Sequence, residues 1–296
     1  MFQLSNELLN IKVKAKGAEL CEISSTKNNR QFMWHADPKV WGSYAPNLFP
    51  IIGSMKDDSY FFNGKTYHMP KHGFVRHNEA IKLVGQTENS LTFSLKQNGQ
   101  LSEWFPFNFE FSLKYTLTEN TLTLTHTVRN LGDSEMYFSI GGHPAFKCPF
   151  YDNENYTDYH LEFEHLETAE SYLLDMPTGL VTEKTKTVFD TKNTINLKPD
   201  LFNEDALIFK DLTSRKVALV SKTYGEILNV SFNDFNYLGI WAKPNAPYVC
   251  IEPWLGIADT VNTNQQLTEK EGIIKLEANK TFTASYSIQI HPSHLG

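Results

Sequence analysis

Glu252 is the side chain in this sequence whose surroundings best suit a base. It lies in the segment Tyr-Val-Cys-Ile-Glu-Pro-Trp, where alternation predicts a strand from Tyr248 to Glu252. The alternation places Cys250 on the same face as Glu252. Pro253 has no N–H to donate, so we expect the strand to end or turn there. A carboxylate at a strand end between large apolar residues loses hydration, which raises its pKa as a general base requires. A solvent-facing glutamate is the alternative interpretation.

Two histidines lie in turn-like sequences upstream of this glutamate. His72 lies in Met-Pro-Lys-His-Gly-Phe-Val-Arg, where Pro70 and Gly73 exclude a stable helix and predict a loop at the end of a sheet. His143 lies in Ser-Ile-Gly-Gly-His-Pro-Ala-Phe. Its two preceding glycines allow a close backbone approach or an unusual backbone angle, and Pro144 favours an extended conformation at His143.

One carboxylate and one histidine can move protons between a hydroxyl group and an ether oxygen. Histidine titrates near neutral pH and can donate a proton, whereas a partly desolvated glutamate can accept one. Taken singly, each histidine also fits a structural role. Three such side chains at three predicted strand ends make a stronger case for acid–base catalysis than any one of them.

The segments around these residues predict β-strands almost throughout. Apolar residues alternate without a break at 107–117, and Leu122, Leu124 and Val128 continue the pattern after a turn at Glu119-Asn120. This predicts a long antiparallel hairpin with one buried face. Asn63-Gly64 predicts a second hairpin, within Tyr60 to Met69. Further strands are predicted near 9–13, 91–95, 160–164, 194–197, 207–209, 217–220, 227–232, 238–241 and 282–290.

The fold class that follows is all-β, as one large antiparallel β-sandwich over residues 1–296. No repeat, linker or low-complexity tract divides the chain. A helix is considered only for Asn264 to Gly272. His126 shares the face of Leu122 and Val128, and we interpret it as a packed or hydrogen-bonded core histidine.

Composition excludes several classes of function. A net charge of −7, without a Lys/Arg cluster, disfavours nucleic acid as a partner. No apolar run approaches the length that spans a membrane, and the first residues lack the pattern of a secretory signal. The three cysteines, Cys21, Cys148 and Cys250, are far apart and odd in number, which is typical of free thiols in a reducing compartment. We therefore expect a cytoplasmic protein, as a monomer or a homodimer.

Six segments, in order, resemble the aldose 1-epimerase (galactose mutarotase) family, and most closely its bacterial LacX-like subgroup. They cover nearly the whole chain: Gly17-Ala-Glu-Leu, the region of Trp34 and Trp41, Asn47-Leu-Phe-Pro-Ile-Ile-Gly, His72-Gly-Phe, Gly142-His-Pro-Ala-Phe and Ile251-Glu-Pro-Trp. The resemblance implies a β-supersandwich that acts on a small sugar, an aldohexose, without a cofactor or a metal.

The resemblance also implies roles for individual residues. Glu252 would remove the proton from the anomeric hydroxyl, and His143 would protonate the ring oxygen. His72 would hydrogen-bond a sugar oxygen. The family uses an aspartate to hold sugar hydroxyls, for which Asp205 is the candidate, with Glu204 and Asp211 as competing assignments.

One departure from the family pattern concerns sugar binding. Galactose mutarotases have an arginine directly after the asparagine that matches Asn47, but Leu48 occupies that position here. Lys56 and Arg76 are the nearest cations in sequence that could replace it. With Asn47, they complete the expected substrate-binding residues. The departure weakens the case for galactose itself as the substrate.

Four alternatives remain open from the sequence. Lys56, Lys71 and Arg76 could bind the phosphate of a hexose 6-phosphate. A sugar-binding or sensor protein without turnover would keep the aromatic residues and Asp205 but would not need the Glu–His pair. A zinc site at His68, His72 and His77 would need a helix, which the neighbouring proline and glycine disfavour. A glycosidase could use Asp205 and Glu252, but the histidine motifs would then have no role.

Overall fold

The computed structural model describes residues 1–296, and two large antiparallel sheets dominate it. Seven single-turn 3-10 helices are its only helices: Lys16–Ala18, Lys56–Asp58, Val75–His77, Leu101–Glu103, Tyr156–Asp158, Leu267–Glu269 and Pro292–His294. The twenty-four strands are β1 (Phe2–Ser5), β2 (Leu9–Val13), β3 (Leu20–Ser25), β4 (Asn47–Leu48), β5 (Ser59–Phe62), β6 (Lys65–His68), β7 (Lys82–Gln86), β8 (Ser90–Lys96), β9 (Phe109–Thr118), β10 (Thr121–Asn130), β11 (Met136–Phe138), β12 (Ile140–Gly142), β13 (Ala145–Lys147), β14 (Tyr159–Phe163), β15 (Ser171–Asp175), β16 (Leu180–Lys186), β17 (Thr194–Asn196), β18 (Leu207–Phe209), β19 (Lys216–Ser221), β20 (Gly225–Ser231), β21 (Tyr237–Trp241), β22 (Tyr248–Leu255), β23 (Ile274–Leu276) and β24 (Thr281–Ile290).

The first sheet has nine strands in the order β17-β14-β19-β20-β24-β10-β9-β8-β7. The second has eight, in the order β16-β15-β18-β21-β22-β12-β4, with β13 also paired to β22. The predicted all-β sandwich is therefore confirmed. No helix in the structure has the length and apolar character needed to cross a membrane.

The long hairpin of β9 and β10 shows why the chain folds into layered sheets. Every second side chain of β9 is buried, from Phe109 to Leu117, and β10 alternates in the same way. Burying such a face against a second layer removes apolar surface from water, which is the main driving force for folding. Seventy-one buried residues join in one apolar core. His126 lies within it, fully buried between aromatic rings and without a hydrogen-bond partner, so it is a packed core histidine.

Two local predictions are wrong. Asn264 to Gly272 contains only the single turn Leu267–Glu269, because the segment is bonded to the β5–β6 hairpin instead. Gln265 has a φ of 63°, its carbonyl accepts the Phe61 N–H, and its side chain donates to the Lys56 carbonyl. These bonds replace those of a longer helix.

Strand β22 does not end at Pro253 but continues to Leu255. The Ile251 N–H points away from β21 and donates to the Pro144 carbonyl, so the alternate backbone nitrogens of β22 face the β12–β13 side. The nitrogen of Pro253 faces that same side, where the chain passes from β12 to β13 and the ladder is already interrupted. The missing donor therefore costs no ladder bond, and Glu252 lies inside a strand.

Candidate active site

A cavity of about 220 Å³ opens on the eight-stranded sheet and brings together most of the predicted site residues. His72, Arg76, His143, Asp205 and Glu252 all line it. These residues come from four separate stretches of the chain, so the site exists only in the folded protein. Its remaining walls are largely apolar, which suits a pocket that orients a small ligand through a few polar groups.

Glu252 lies at the bottom of this cavity with only 1% of its surface exposed. Burial raises the pKa of its carboxyl well above the ordinary value, and nearby Asp205 raises it further, against smaller opposing effects of Lys71 and Arg76. Its Oε2 atom lies 3.2 Å from Nε2 of His143, but the two groups are not aligned as a hydrogen bond. The carboxyl group is therefore close to an imidazole and poorly hydrated, as the sequence predicted.

His143 is held in place by the backbone and by aromatic rings. Its N–H donates to the Pro46 carbonyl, and the Trp41 ring stacks on the imidazole at 5.1 Å between ring centres. Burial lowers the pKa of His143 to about 3, with a further contribution from Arg76. The resting imidazole is thus neutral. Of the two possible roles of the preceding glycines, close approach is the one observed, because a Cβ on Gly142 would lie 2.3 Å from the Tyr286 hydroxyl oxygen.

His72 lies on the loop after β6, as predicted, and its own φ is 65°. The following Gly73 also has a positive φ, and a Cβ there would lie 2.1 Å from the Phe49 carbonyl oxygen. Nδ1 of His72 accepts a hydrogen bond from the Gly53 N–H at 3.1 Å, while burial lowers its pKa well below 6.5. A neutral ring that accepts at Nδ1 carries its proton on Nε2, which makes Nε2 a hydrogen-bond donor.

Of the three acidic residues considered for holding sugar hydroxyls, Asp205 is the one that lines the cavity. It immediately precedes the short loop into β18, and its Oδ1 accepts the Ala206 N–H. Glu204 is exposed and pairs with Lys186 at 3.0 Å, and Asp211 does not line the cavity.

Lys71 and Arg76 are the two cations in the cavity wall. The Nε atom of Arg76 is buried and has no hydrogen-bond partner, and burial lowers the pKa of its guanidinium. An unpaired buried donor of this kind is costly unless a ligand satisfies it.

The two other residues expected to bind substrate lie outside the cavity. Asn47 is fully buried, and its side-chain amide donates to the carbonyls of Gly17 and Ala18. Lys56 donates from Nζ to the Val261 carbonyl. Both residues are close in sequence to site residues, but their side chains make contacts with the protein backbone outside the cavity.

A sequence model described as aldose 1-epimerase matches residues 1–289. The chain belongs to the aldose 1-epimerase family. Membership in this family supports a role as an isomerase that acts on a sugar.

Similar proteins are known in sequence and in structure. Two LacX proteins of Lactococcus lactis subsp. lactis, one plasmid-borne and one chromosomal, are each 34% identical to this chain, in alignments that cover 97% of this chain and 98% of theirs. The crystal structure of a galactose mutarotase related enzyme from Lactobacillus acidophilus is 35% identical, with a TM-score of 0.91, and covers 98% of this chain and 97% of its own. A galactose mutarotase-like protein from Lactobacillus casei is 27% identical, also with a TM-score of 0.91, over 98% and 100% of the two chains.

Two tryptophans of this epimerase fold were not singled out from the sequence as site residues. Trp241 and Trp254 both line the cavity, and Trp241 packs edge-on to His143. The strand register explains why Trp241 belongs to the site. Trp241 pairs with Cys250, and Gly239 pairs with Glu252. Residues opposite each other on neighbouring strands share a face, so Trp241 lies on the face of Glu252.

The structure groups a different set of possible metal ligands from the three histidines considered in the sequence. His68, His72 and His77 do not form a group of ligand atoms. His143, Cys250 and Glu252 do, since one ligand atom from each lies within 4.8 Å of the others.

Proposed function

We propose that this protein is a mutarotase that interconverts the α and β anomers of a hexose. The observation that carries the proposal is the pairing of Glu252 and His143, 3.2 Å apart at the bottom of a small cavity. A buried carboxyl group and a neutral imidazole at this distance can exchange one proton between them, and ring opening of a hemiacetal needs one proton removed and one supplied.

The reaction follows from the position of this pair. Glu252 takes the proton from the anomeric hydroxyl, and the electron pair of that O–H bond forms the C1 carbonyl. The bond between C1 and the ring oxygen breaks, and His143 gives its proton to the ring oxygen. The free aldehyde turns about the C1–C2 bond, and the reverse proton transfers close the ring on its other face. The protein ends the cycle with the same number of protons, so no co-reactant is consumed.

Three further residues hold the sugar for this step. Nε2 of His72 donates to a sugar oxygen, because its Nδ1 is already occupied by the Gly53 N–H. The carboxylate of Asp205 accepts from sugar hydroxyls. Arg76 supplies the cationic contact that Leu48 does not provide. The apolar and aromatic walls exclude water, which strengthens each of these polar contacts.

A second candidate substrate is a hexose 6-phosphate. Lys71 and Arg76 both line the cavity, and Arg76 has an unpaired buried donor, so the site offers two cations to an anionic substituent. The chemistry at C1 would be the same for both substrates. Only the contact at the far end of the sugar would differ.

The test follows the optical rotation of freshly dissolved α-D-glucose, α-D-galactose and glucose 6-phosphate, with and without protein. We expect faster decay to equilibrium with at least one of them, and no acceleration by Glu252→Gln or His143→Ala. Equal rates for both variants and the unmodified protein would refute the mechanism. Sugar binding detected by calorimetry, without acceleration of any of the three, would favour a sensor.

A further inference from the structure

The thiol of Cys250 lies beside the acid–base pair, although it has no part in the reaction just described. Cys250 is two residues before Glu252 on β22, so both side chains leave the same face of the strand. One ligand atom from each of His143, Cys250 and Glu252 lies within 4.8 Å of the other two. The three residues are 8%, 0% and 1% exposed.

These donors have unused hydrogen-bonding capacity. Oε2 of Glu252, which lies 3.2 Å from Nε2 of His143, is buried without a hydrogen-bond partner. Buried polar groups in folded proteins are normally paired, and those that are not require an explanation such as catalysis or a bound ion. Catalysis explains the carboxyl and the imidazole when sugar is present. It does not explain why a thiol is the third member of the group.

The donor set is the one that zinc prefers. Zn²⁺ binds imidazole nitrogen, thiolate sulfur and carboxylate oxygen at about 2.0–2.3 Å, usually with tetrahedral geometry. Bonds of that length separate neighbouring ligand atoms by about 3.5 Å. The His143–Glu252 separation of 3.2 Å is close to this value. The other separations are at most 4.8 Å, so the thiol must move closer by up to about 1.3 Å for all three atoms to bind one ion. Mg²⁺ and Ca²⁺ prefer all-oxygen sites and fit poorly.

We propose that His143, Cys250 and Glu252 form a binding site for Zn²⁺, or for a similar borderline-soft divalent cation, and that this cation inhibits the enzyme. The ion enters from the cavity, which His143 and Glu252 both line. A metal bound to these atoms occupies the lone pairs that the reaction uses for proton transfer. The fourth coordination position faces the cavity and is left for water.

Binding is balanced by the loss of two protons, one from the Cys250 thiol and one that the His143–Glu252 pair holds at rest. Burial raises the pKa of the Cys250 thiol well above its ordinary value, with a contribution from Glu252, so the free protein holds the neutral S–H. Coordination requires the thiolate, the carboxylate and a neutral imidazole, and both displaced protons leave to solvent. No electron transfer takes place.

Cobalt(II) reports on this site without any reference to sugar turnover. One equivalent of Co²⁺ is added to chelator-treated protein under reducing conditions, and the absorption spectrum is recorded. We expect a sulfur-to-cobalt charge-transfer band in the near ultraviolet, visible bands of a tetrahedral ion, and loss of both on addition of Zn²⁺ but not of Mg²⁺. Cys250→Ser should abolish the charge-transfer band, and His143→Ala should weaken Co²⁺ binding while all three thiols remain.

Cys21→Ser is the matched control, because Cys21 is the one thiol that is not buried. Its spectrum should equal that of the unmodified protein. A charge-transfer band that is absent from the unmodified protein, or that persists unchanged in both Cys250→Ser and His143→Ala, would overturn the site. The two variants remove different ligands, so misfolding of one leaves the other as the test.

Inhibition by Zn²⁺ rests on the proposed mutarotase activity, whereas binding of the ion does not. Zn²⁺ should slow mutarotation in competition with sugar, and in Cys250→Ser the half-inhibitory concentration should rise by about 100-fold or more, since even indirect contacts to a metal are worth 10–100-fold in affinity. Cobalt binding without turnover of any sugar would support the site and refute the mutarotase. Turnover that Zn²⁺ does not affect would refute inhibition by this cation.

Discussion

Nε2 of His143 lies 3.2 Å from Oε2 of Glu252, and that carboxyl oxygen has no hydrogen-bond partner. Burial raises the pKa of Glu252 and lowers that of His143, so the environment disfavours the charged form of both groups. The resting pair then holds one proton, on the carboxyl group. Moving it to the imidazole creates the carboxylate base and the imidazolium acid that ring opening needs, without any exchange with solvent.

Replacing Glu252 with glutamine should separate catalysis from stability. We expect the rate of anomer interconversion to fall by about 10²–10⁴-fold, which is the usual contribution of a general base. The melting temperature should not fall, because the neutral amide has nearly the same size and shape as the neutral carboxyl group that it replaces. Polarimetry and thermal unfolding of the same samples measure the two effects.

Glu167 provides the matched control for this substitution. It is also buried, but it lies outside the cavity and accepts the backbone N–H groups of Thr213 and Ser214. In Glu167→Gln the amide N–H₂ group faces one of these donors, so we expect a loss of about 1–3 kcal/mol in the free energy of unfolding. Activity per folded molecule should not change. A large activity loss in this variant would show that buried glutamates affect the rate indirectly.

The pH dependence of kcat/KM should reflect the pair rather than an isolated histidine. The pKa of His143 is lowered to about 3 and that of Glu252 is raised well above 4.5, so the pair holds one proton throughout the interval between them. Activity should be flat in this interval, should fall at higher pH as the pair loses its proton, and should fall near pH 3 as it gains a second. Measured after subtraction of the buffer-catalysed rate, a kcat/KM that rises with pH through an inflection near 6.5, as an isolated histidine base would give, would contradict this assignment.

The sequence predicted the strands better than it predicted which side chains meet. Alternation in β9 and β10 is a local property, and their burial follows it. Asn47 and Lys56 instead donate to the carbonyls of Gly17 and Val261, which lie far away in the chain. Their closeness in sequence to a site motif therefore did not predict where their side chains lie. The continuation of β22 beyond Pro253 likewise depends on the interruption between β12 and β13, which no local pattern reveals.

Trp41 should act as a positioning residue for His143. Its ring stacks on the imidazole at an interplanar angle of 27° and also stacks on Tyr248. We expect Trp41→Ala to lower kcat by about tenfold to 100-fold, because small displacements of a catalytic group are that costly. Trp41→Phe should restore most of this loss. Trp104 is an exposed tryptophan outside the cavity, so Trp104→Ala should not change kcat. A rise in KM alone would instead make Trp41 a surface for sugar stacking.

Arg76 and Lys56 were equal candidates from the sequence to replace the missing arginine, and the structure separates them. Arg76 lines the cavity with a buried Nε that has no partner, whereas Lys56 is bonded to the Val261 carbonyl. A hydrogen bond to a charged group contributes about 1.5–3 kcal/mol, so Arg76→Gln should raise KM by about tenfold or more, while Lys56→Gln should leave KM unchanged. KM is measured with glucose and with glucose 6-phosphate in the same assay. If the substrate is phosphorylated, the increase in KM caused by Arg76→Gln should be larger for glucose 6-phosphate, because an arginine–phosphate contact is stronger than an arginine–hydroxyl contact. Equal increases in KM for Arg76→Gln and Lys56→Gln would contradict the placement of the cation.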